Sequence, residues 1–484
     1  MEMTVLFSFG LQTLAISLMF ILMATIPLAA QVYDVVILNG RVMDPESNLD
    51  DIRNIGISKK VIQAITTEPL QGYITINAHG LVVSPGFIDL HVHLDPRGQD
   101  QTNFSMKAMD GVTTVLDLEA GTGDVDHWYA IRENKALINY GVSIGHAGVR
   151  MKVMRDPGLV FPTGDAARKA ASTYELMEIK RQIERGLGRG AVGIGLLLAY
   201  TPVVTSEEIL EIFRIANKFN TPCYVHIRST GLKALQEVLE AAELTLGPLH
   251  VVHIHSMGLQ DTPKFLQAIG EAQSRDLDVT TECYPYTAAA TGIESALFDE
   301  GWKERLGIDY KNLQWAATGE RLTEKTFKGY RSEGGIVIIH LMSEDMIQLT
   351  LANPLTIIAS DGLLMNGKGH PRSAGTFCRV LGRYVREAKV LTLMQALRKM
   401  TLMPARRLEE RIPAIKNKGR IRIGADADIT LFDSEKVIDQ ATFGEPSKYS
   451  EGIQYVLVNG VPVVKEGELQ TSATPGSSVR APIK

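Results

Sequence analysis

Cysteine is scarce: three in 484 residues (Cys223, Cys283 and Cys378), far apart and in no Cys-x-x-Cys pair, which excludes a disulfide framework and a structural zinc knuckle. A single bridge stays open to an exported chain. Excess charge of one sign is also lacking, since 50 basic against 55 acidic residues leave a net charge of −5 with no long run of either sign. No nucleic-acid partner is expected. With 45% hydrophobic and 22% charged residues the chain has a globular profile and not a disordered one. Its length suits one large unit with satellites.

The mean hydropathy of +0.02 owes much to the first thirty residues. From Leu6 to Ala30 no residue is charged. Ala29 and Ala30 before Gln31 resemble a cleavage site, and Pro27 would end a helix just ahead of it. The favoured expectation is an exported protein, periplasmic or extracellular, with a signal peptide cut near Ala30. Against cleavage, the segment before Leu6 has Glu2 and no basic residue, and the apolar length also spans ~30 Å of hydrocarbon, so a membrane anchor is the alternative. A start codon further downstream is a third reading. Residues 1–30 are set apart from the fold in each case.

The next stretch, VYDVVILNGRVMD, alternates with β periodicity and holds an Asn39-Gly40 pair that reads as a hairpin turn. GADADITLFD and IQYVLVNGVPVVKEG repeat the pattern near the C-terminus, with Asn459-Gly460 as a second turn. The two ends, 31–84 and 413–470, are expected to close into one small β-sandwich, followed by a flexible tail, 471–484. Between them, over 85–412, eight short apolar runs alternate with helical stretches: GFIDLHVHL, TTVLDLEA, VSIGHAGV, AVGIGLLLA, PCYVHIRS, LHVVHIHS, DVTTECYPY and TIIASDG. This predicts an α/β fold with a (β/α)8 barrel of the TIM type, its largest insertion at 287–354.

Seven of the eight runs end in polar or ionisable residues, and the C-terminal strand ends of such a barrel form its active-site face. His91 and His93, two apart on a strand, point to one side. His226 ends run five, His253 and His255 end run six, and Asp361 ends run eight. Nitrogen and oxygen ligands recurring at one height suit Zn²⁺ or another divalent ion. A second ion needs a bridging anion, and run four has no lysine to carboxylate. Glu119 is the bridging candidate, with Asp117 one pleat deeper in a structural place. Asp361 is the candidate general base and acid, taking a proton from the attacking water and passing it to the leaving nitrogen. The reaction predicted is hydrolysis of an amide. His146 is a candidate supporting partner, and Arg228 reads equally as a substrate contact or a structural ion pair. The glycines of GLGRGAVGIG precede a strand and lack the strand–turn–helix setting of a nucleotide loop.

Taken together, GFIDLHVH, GVTTVLDLEAG, GHAGVR, YVHIR, VVHIH, YPYTAAAT, HPRSAGTF and GADADITLFD resemble the amidohydrolase superfamily, and within it the N-acyl-D-amino-acid deacylases with their D-glutamate-type relatives. The resemblance implies metal ligands at His91, His93, Glu119, His226, His253 and Asp361, one or two ions, and a small N-acyl amino acid as substrate. It implies substrate contacts at Tyr200, Arg228, Tyr284 and Arg372, with His255 where the pattern has a carboxylate-binding lysine. Three departures stand out. Glu119 followed by Ala120 replaces a bridging cysteine, which favours a fuller two-metal site. His255 offers a shorter cation that would titrate near neutrality. Ala290 stands where the pattern has a serine. Alternatives are a cyclic amidase of the dihydroorotase or hydantoinase kind, a dipeptidase, a general N-acyl amino acid amidase, and a barrel without catalysis.

Overall fold

The computed structural model describes residues 31–158 and 161–484, and the leader expected over 1–30 lies outside them. Eight parallel strands make the centre: Phe87–Asp89, Val112–Thr122, Asn139–Gly145, Ile194–Leu197, Cys223–His226, Leu249–Val251, Val279–Cys283 and Thr356–Ile358, each bonded to the next in chain order. The first and eighth meet at the mouth, where Val92 bridges Gly362 and the Asp361 N–H donates to the His91 carbonyl at 2.7 Å. The ring is thus closed beside two candidate ligands.

The covering helices follow from periodicity and caps. In Ser206–Phe219, Thr205 accepts the Glu208 N–H, Asn220 ends the helix in the left-handed conformation, and Ile209, Ile212, Phe213 and Ala216 form one buried stripe. Strand three stops at Gly145, short of the run VSIGHAGV, because His146 opens the helix His146–Met154 directly. The turn is tight enough to demand glycine at 145, where a Cβ would lie 2.1 Å from the Ala120 carbonyl oxygen.

Strands from 32–85 and 429–469 share one nine-stranded sheet. Val32–Asp44 pairs in parallel with Gln71–Asn77 along its first half and Val82–Pro85 along its second, and Ile429–Phe432 adds on antiparallel to Val82–Pro85. Asn459-Gly460 is the hairpin turn expected, linking Ile453–Val458 to Val461–Lys465 with both residues at positive φ. Asn39-Gly40 is not a turn. It is a bulge inside Val32–Asp44, where the register with Leu49–Ser58 shifts and Gly40 lies close against Val83.

Where this sheet meets the barrel, the Asp428 carboxylate accepts from Lys418 Nζ at 2.6 Å, Asn139 Nδ2 at 2.9 Å and the Asn459 N–H at 2.7 Å. All four residues are buried. The last residues are not a loose tail either. Val479 donates to the Tyr140 carbonyl and accepts from Tyr129 Oη, Arg480 pairs with Asp126, and Val479 and Ala481 are buried. Segment 287–354 builds its own antiparallel sheet from Ala288–Gly292, Leu313–Trp315 and Ile336–His340, packed around Phe298, Trp302 and Phe327.

Candidate metal and active site

Glu119 stands between two clusters. Its Oε2 lies 3.2 Å from His91 Nε2 and 3.5 Å from His93 Nε2, and those same nitrogens are 3.4 and 3.2 Å from Asp361 Oδ1. Its Oε1 lies 2.8 Å from His226 Nδ1 and 3.1 Å from His253 Nε2. One carboxylate therefore offers an oxygen to each of two sets of donors, a geometry able to hold two ions. Asp117 takes no part; it accepts the N–H groups of Leu94 and Gly121.

Two members of the clusters carry backbone strain. His253 has φ 31° and Asp361 φ 52°, values that side-chain-bearing residues seldom adopt. His253 is held there because strand six stops at Val251 and the chain turns at once into Ile254–Gly258, with Ser256 Oγ donating to the His253 carbonyl. This turn also separates His253 from His255. They are not alternate residues of one strand, and His255 is carried away from the clusters.

Beneath His91 lies a support that strand-end reasoning missed. Glu282 Oε1 is 2.5 Å from His91 Nδ1, its Oε2 is 3.0 Å from His250 Nε2, and His250 Nδ1 is 2.7 Å from Thr280 Oγ1. With Nδ1 engaged by a carboxylate, His91 presents Nε2 to the cluster, where that buried atom has no hydrogen-bond partner. A signal was available: a glutamate and a histidine inside apolar strands need partners, and both belong to inward-facing positions.

The electrostatics fit a cation. Burial pulls the His91 imidazole down, but Asp361, Glu119 and Glu282 outweigh it and raise it well above the ordinary value. His93 is likewise raised, by Asp361 and Glu119 against burial. Burial pushes the Glu119 and Asp361 carboxyls up, yet His91 and His226 hold Glu119 well below its usual range, as Arg372 and His91 do for Asp361. Two ionised carboxylates flanked by imidazoles, one of them with an orphaned Nε2, make a donor set suited to Zn²⁺ or a similar ion.

Of the five substrate contacts expected, two line the cavity above the clusters. Tyr200 stacks on Phe161 and its hydroxyl pairs with Thr291 Oγ1 at 2.7 Å, while Tyr284 closes another side. Arg228 is not among the lining residues: it pairs with Glu237 at 2.8 Å and donates to the Pro202 and Val204 carbonyls. His255 is fully buried beside Tyr284, and burial, with His253 and Arg372 adding to it, pushes its imidazole down to about 3. It is neutral, not a cation titrating near neutrality. Arg372 is also fully buried; Nη2 pairs with Asp361 Oδ2 at 2.9 Å, and the guanidinium stacks on Tyr284 outside the cavity wall. His146 does not reach the clusters and instead joins Arg150 on Glu208. Cys223, Cys283 and Cys378 are buried and free, so no pair bridges.

Comparison with known proteins follows the same lines. The chain is 29% identical over 497 residues to an N-acyl-D-glutamate deacylase of Alcaligenes xylosoxydans xylosoxydans, covering 92% of this chain and 96% of that one. It is 28% identical over 486 residues to a D-aminoacylase of the same organism, covering 90% and 96%. Among solved structures, N-acyl-D-glutamate deacylase from Bordetella bronchiseptica, complexed with zinc and a phosphonate that mimics the tetrahedral intermediate, superimposes with a TM-score of 0.79 at 28% identity, covering 93% of this chain and all of that one. Residues 75–136 and 153–464 match the amidohydrolase family, and with the barrel, the two donor clusters and the bridging carboxylate in place, the chain belongs to that family.

Proposed function

We propose that the protein is a metal-dependent hydrolase that deacylates N-acyl-D-amino acids, cutting a linear amide C–N bond. The carrying observation is Glu119, with one carboxylate oxygen toward His91, His93 and Asp361 and the other toward His226 and His253. On this reading those six residues hold one or two divalent ions, zinc being the ion named for the Bordetella relative. An ion held there would lower the pKa of a bound water towards neutrality and polarise the scissile carbonyl.

The chain's own residues do the rest. Arg372 and the surrounding imidazoles keep Asp361 ionised against its burial, so at neutral pH it is ready to accept a proton. Its Oδ2 is fixed by Arg372 and its Oδ1 is turned to His93, and the carboxylate lines the cavity floor. Asp361 takes the proton of the attacking water and returns it to the amide nitrogen as the C–N bond breaks, leaving a carboxylic acid and a free amine. Tyr200, Tyr284 and the apolar wall flank the site of that transfer. The uncharged stretch 6–30 supports export of this enzyme by cleavage near Ala30, or its tethering to a membrane. The N-terminal residue of the purified protein separates the two.

Purified protein with zinc, cobalt or manganese added should hydrolyse N-acetyl or N-formyl amino acids of D configuration faster than their L forms. The reading fails if less than half an equivalent of transition metal copurifies and none of the three restores turnover. Faster turnover of a cyclic amide such as dihydroorotate would move the enzyme to the cyclic amidases.

A further inference from the structure

The cavity over the clusters encloses about 730 Å³ of empty space, solvent mouth included, and its two halves are unlike. Its floor is ionic: His93, Glu119, His226, His253 and Asp361. Its upper wall is aliphatic and aromatic, with Phe161 and Met257 from barrel loops and Leu297, Leu306, Ile339 and Leu341 from the insertion. Hydroxyl-bearing side chains, Ser229, Thr230, Ser256, Thr291, Tyr200 and Tyr284, interrupt it. Among the described residues, no lysine or arginine lines it.

The arginines near this wall are committed elsewhere. Arg228 is on Glu237. Arg305 donates to the carbonyls of Leu297, Asp299 and Glu300, and Arg331 to Asp299 and the carbonyls of Ile293 and Ser295. Arg372 is on Asp361; its Nε and Nη1 are unmatched, but they lie with Tyr284 and not in the wall. A carboxylate on the substrate's side chain or acyl group would be desolvated against apolar side chains, with no lysine or arginine in the wall to pair with it. An apolar group meets no such penalty and gains by leaving water.

Resting on the deacylase reading, we infer that this cavity receives an apolar group of the substrate, carried on the amino-acid side chain or on the acyl chain, and rejects N-acyl derivatives of acidic amino acids. The specificity of this chain then departs from that named for the glutamate deacylases it resembles. The determinants are Met257, Leu306, Ile339 and Leu341.

The test measures kcat/KM of the full chain loaded with zinc in two series. One varies the side chain at constant acetyl: D-leucine, D-methionine, D-phenylalanine, D-glutamate and D-aspartate. The other varies the acyl group on D-alanine from formyl to hexanoyl. At least one apolar substitution should exceed N-acetyl-D-glutamate and N-acetyl-D-aspartate by 100-fold or more, and the series in which it occurs identifies which group fills the cavity. Leu306→Arg, with Leu341→Lys as a second variant, should raise the ratio of D-glutamate to apolar turnover by at least tenfold. Turnover of either acidic substrate within tenfold of the best apolar one overturns the inference, as does an unchanged ratio in both folded variants. If no N-acyl-D-amino acid is hydrolysed, the deacylase reading falls by itself. Calorimetric binding of the same compounds to Asp361→Asn still decides the inference: tighter binding of an apolar compound supports it, and equal or weaker binding than glutamate, or none, overturns it.

Discussion

The mouth of the barrel and the seam beneath it both bury charge, and they treat it in opposite ways. At the seam Asp428 is met by Lys418, Asn139 and Asn459, and Lys418 also reaches Asp426 at 2.8 Å. At the mouth His91 Nε2, both ring nitrogens of His255, Tyr284 Oη and two nitrogens of Arg372 are buried without hydrogen-bond partners. Two of the mouth's residues, His253 and Asp361, are strained as well. Fully matched charge fastens one part of a protein to another, whereas unmatched polar atoms and strained residues are retained where something else is to be bound.

The contrast is sharpest in a pair of substitutions. Asp361→Asn should lower kcat by about 10³-fold, the scale of a lost general acid–base group, while the neutral amide keeps most of the metal. Lys418→Met should do the reverse. It leaves Asp428 as a buried charge with neutral partners only, at a cost of about 3–5 kcal/mol in stability, while kcat per folded molecule stays the same. Near wild-type kcat in Asp361→Asn would undo the mechanism; an unaltered urea midpoint in Lys418→Met would undo the reading of the seam.

Glu282→Gln tests a residue that belongs to both kinds of region, matched like the seam but placed under the mouth. Loss of its charge should loosen His91 and weaken metal binding by about 10–100-fold, read by competition with a chelating dye. Excess metal should restore most of the activity. A purely structural role would instead lower the melting temperature and leave the dye competition unmoved.

The two regions also differed in how far the sequence revealed them. The eight strand runs, the paired His91 and His93, and Glu119 as the shared carboxylate followed from strand alternation, which is local and regular. His255 did not, because alternation ends at Val251 and the chain turns before reaching it. The partner of Arg372 was hidden for a similar reason, since the loop after strand eight obeys no period. The aliphatic wall was hidden more deeply, because Leu306, Ile339 and Leu341 come from an insertion whose packing over the barrel is set by its own core around Trp302 and Phe327. Asn39 carried a correct conformational signal, positive φ, that serves a bulge as well as a turn.

One group at the foot of the barrel breaks the pattern of matched charge. Lys399 is buried, and its ammonium donates to the carbonyl of Asn353 and to the carbonyl and hydroxyl of Thr356 with no acidic partner among them. Burial pulls it from 10.5 down to about 8. The unfolded chain therefore holds this proton more tightly than the fold, and between pH 8 and 10.5 it carries the larger share of it. Stability from this group rises with pH across that window, by at most about 1.4 kcal/mol per pH unit, and its cost is felt in full below it. In Lys399→Met the rise should vanish from urea midpoints measured between pH 8 and 10, although the three lost hydrogen bonds also lower stability at every pH. An unchanged slope would mean that the carbonyls alone hold the charged lysine as comfortably as an aspartate would, and that matching at the foot does not require opposite charge.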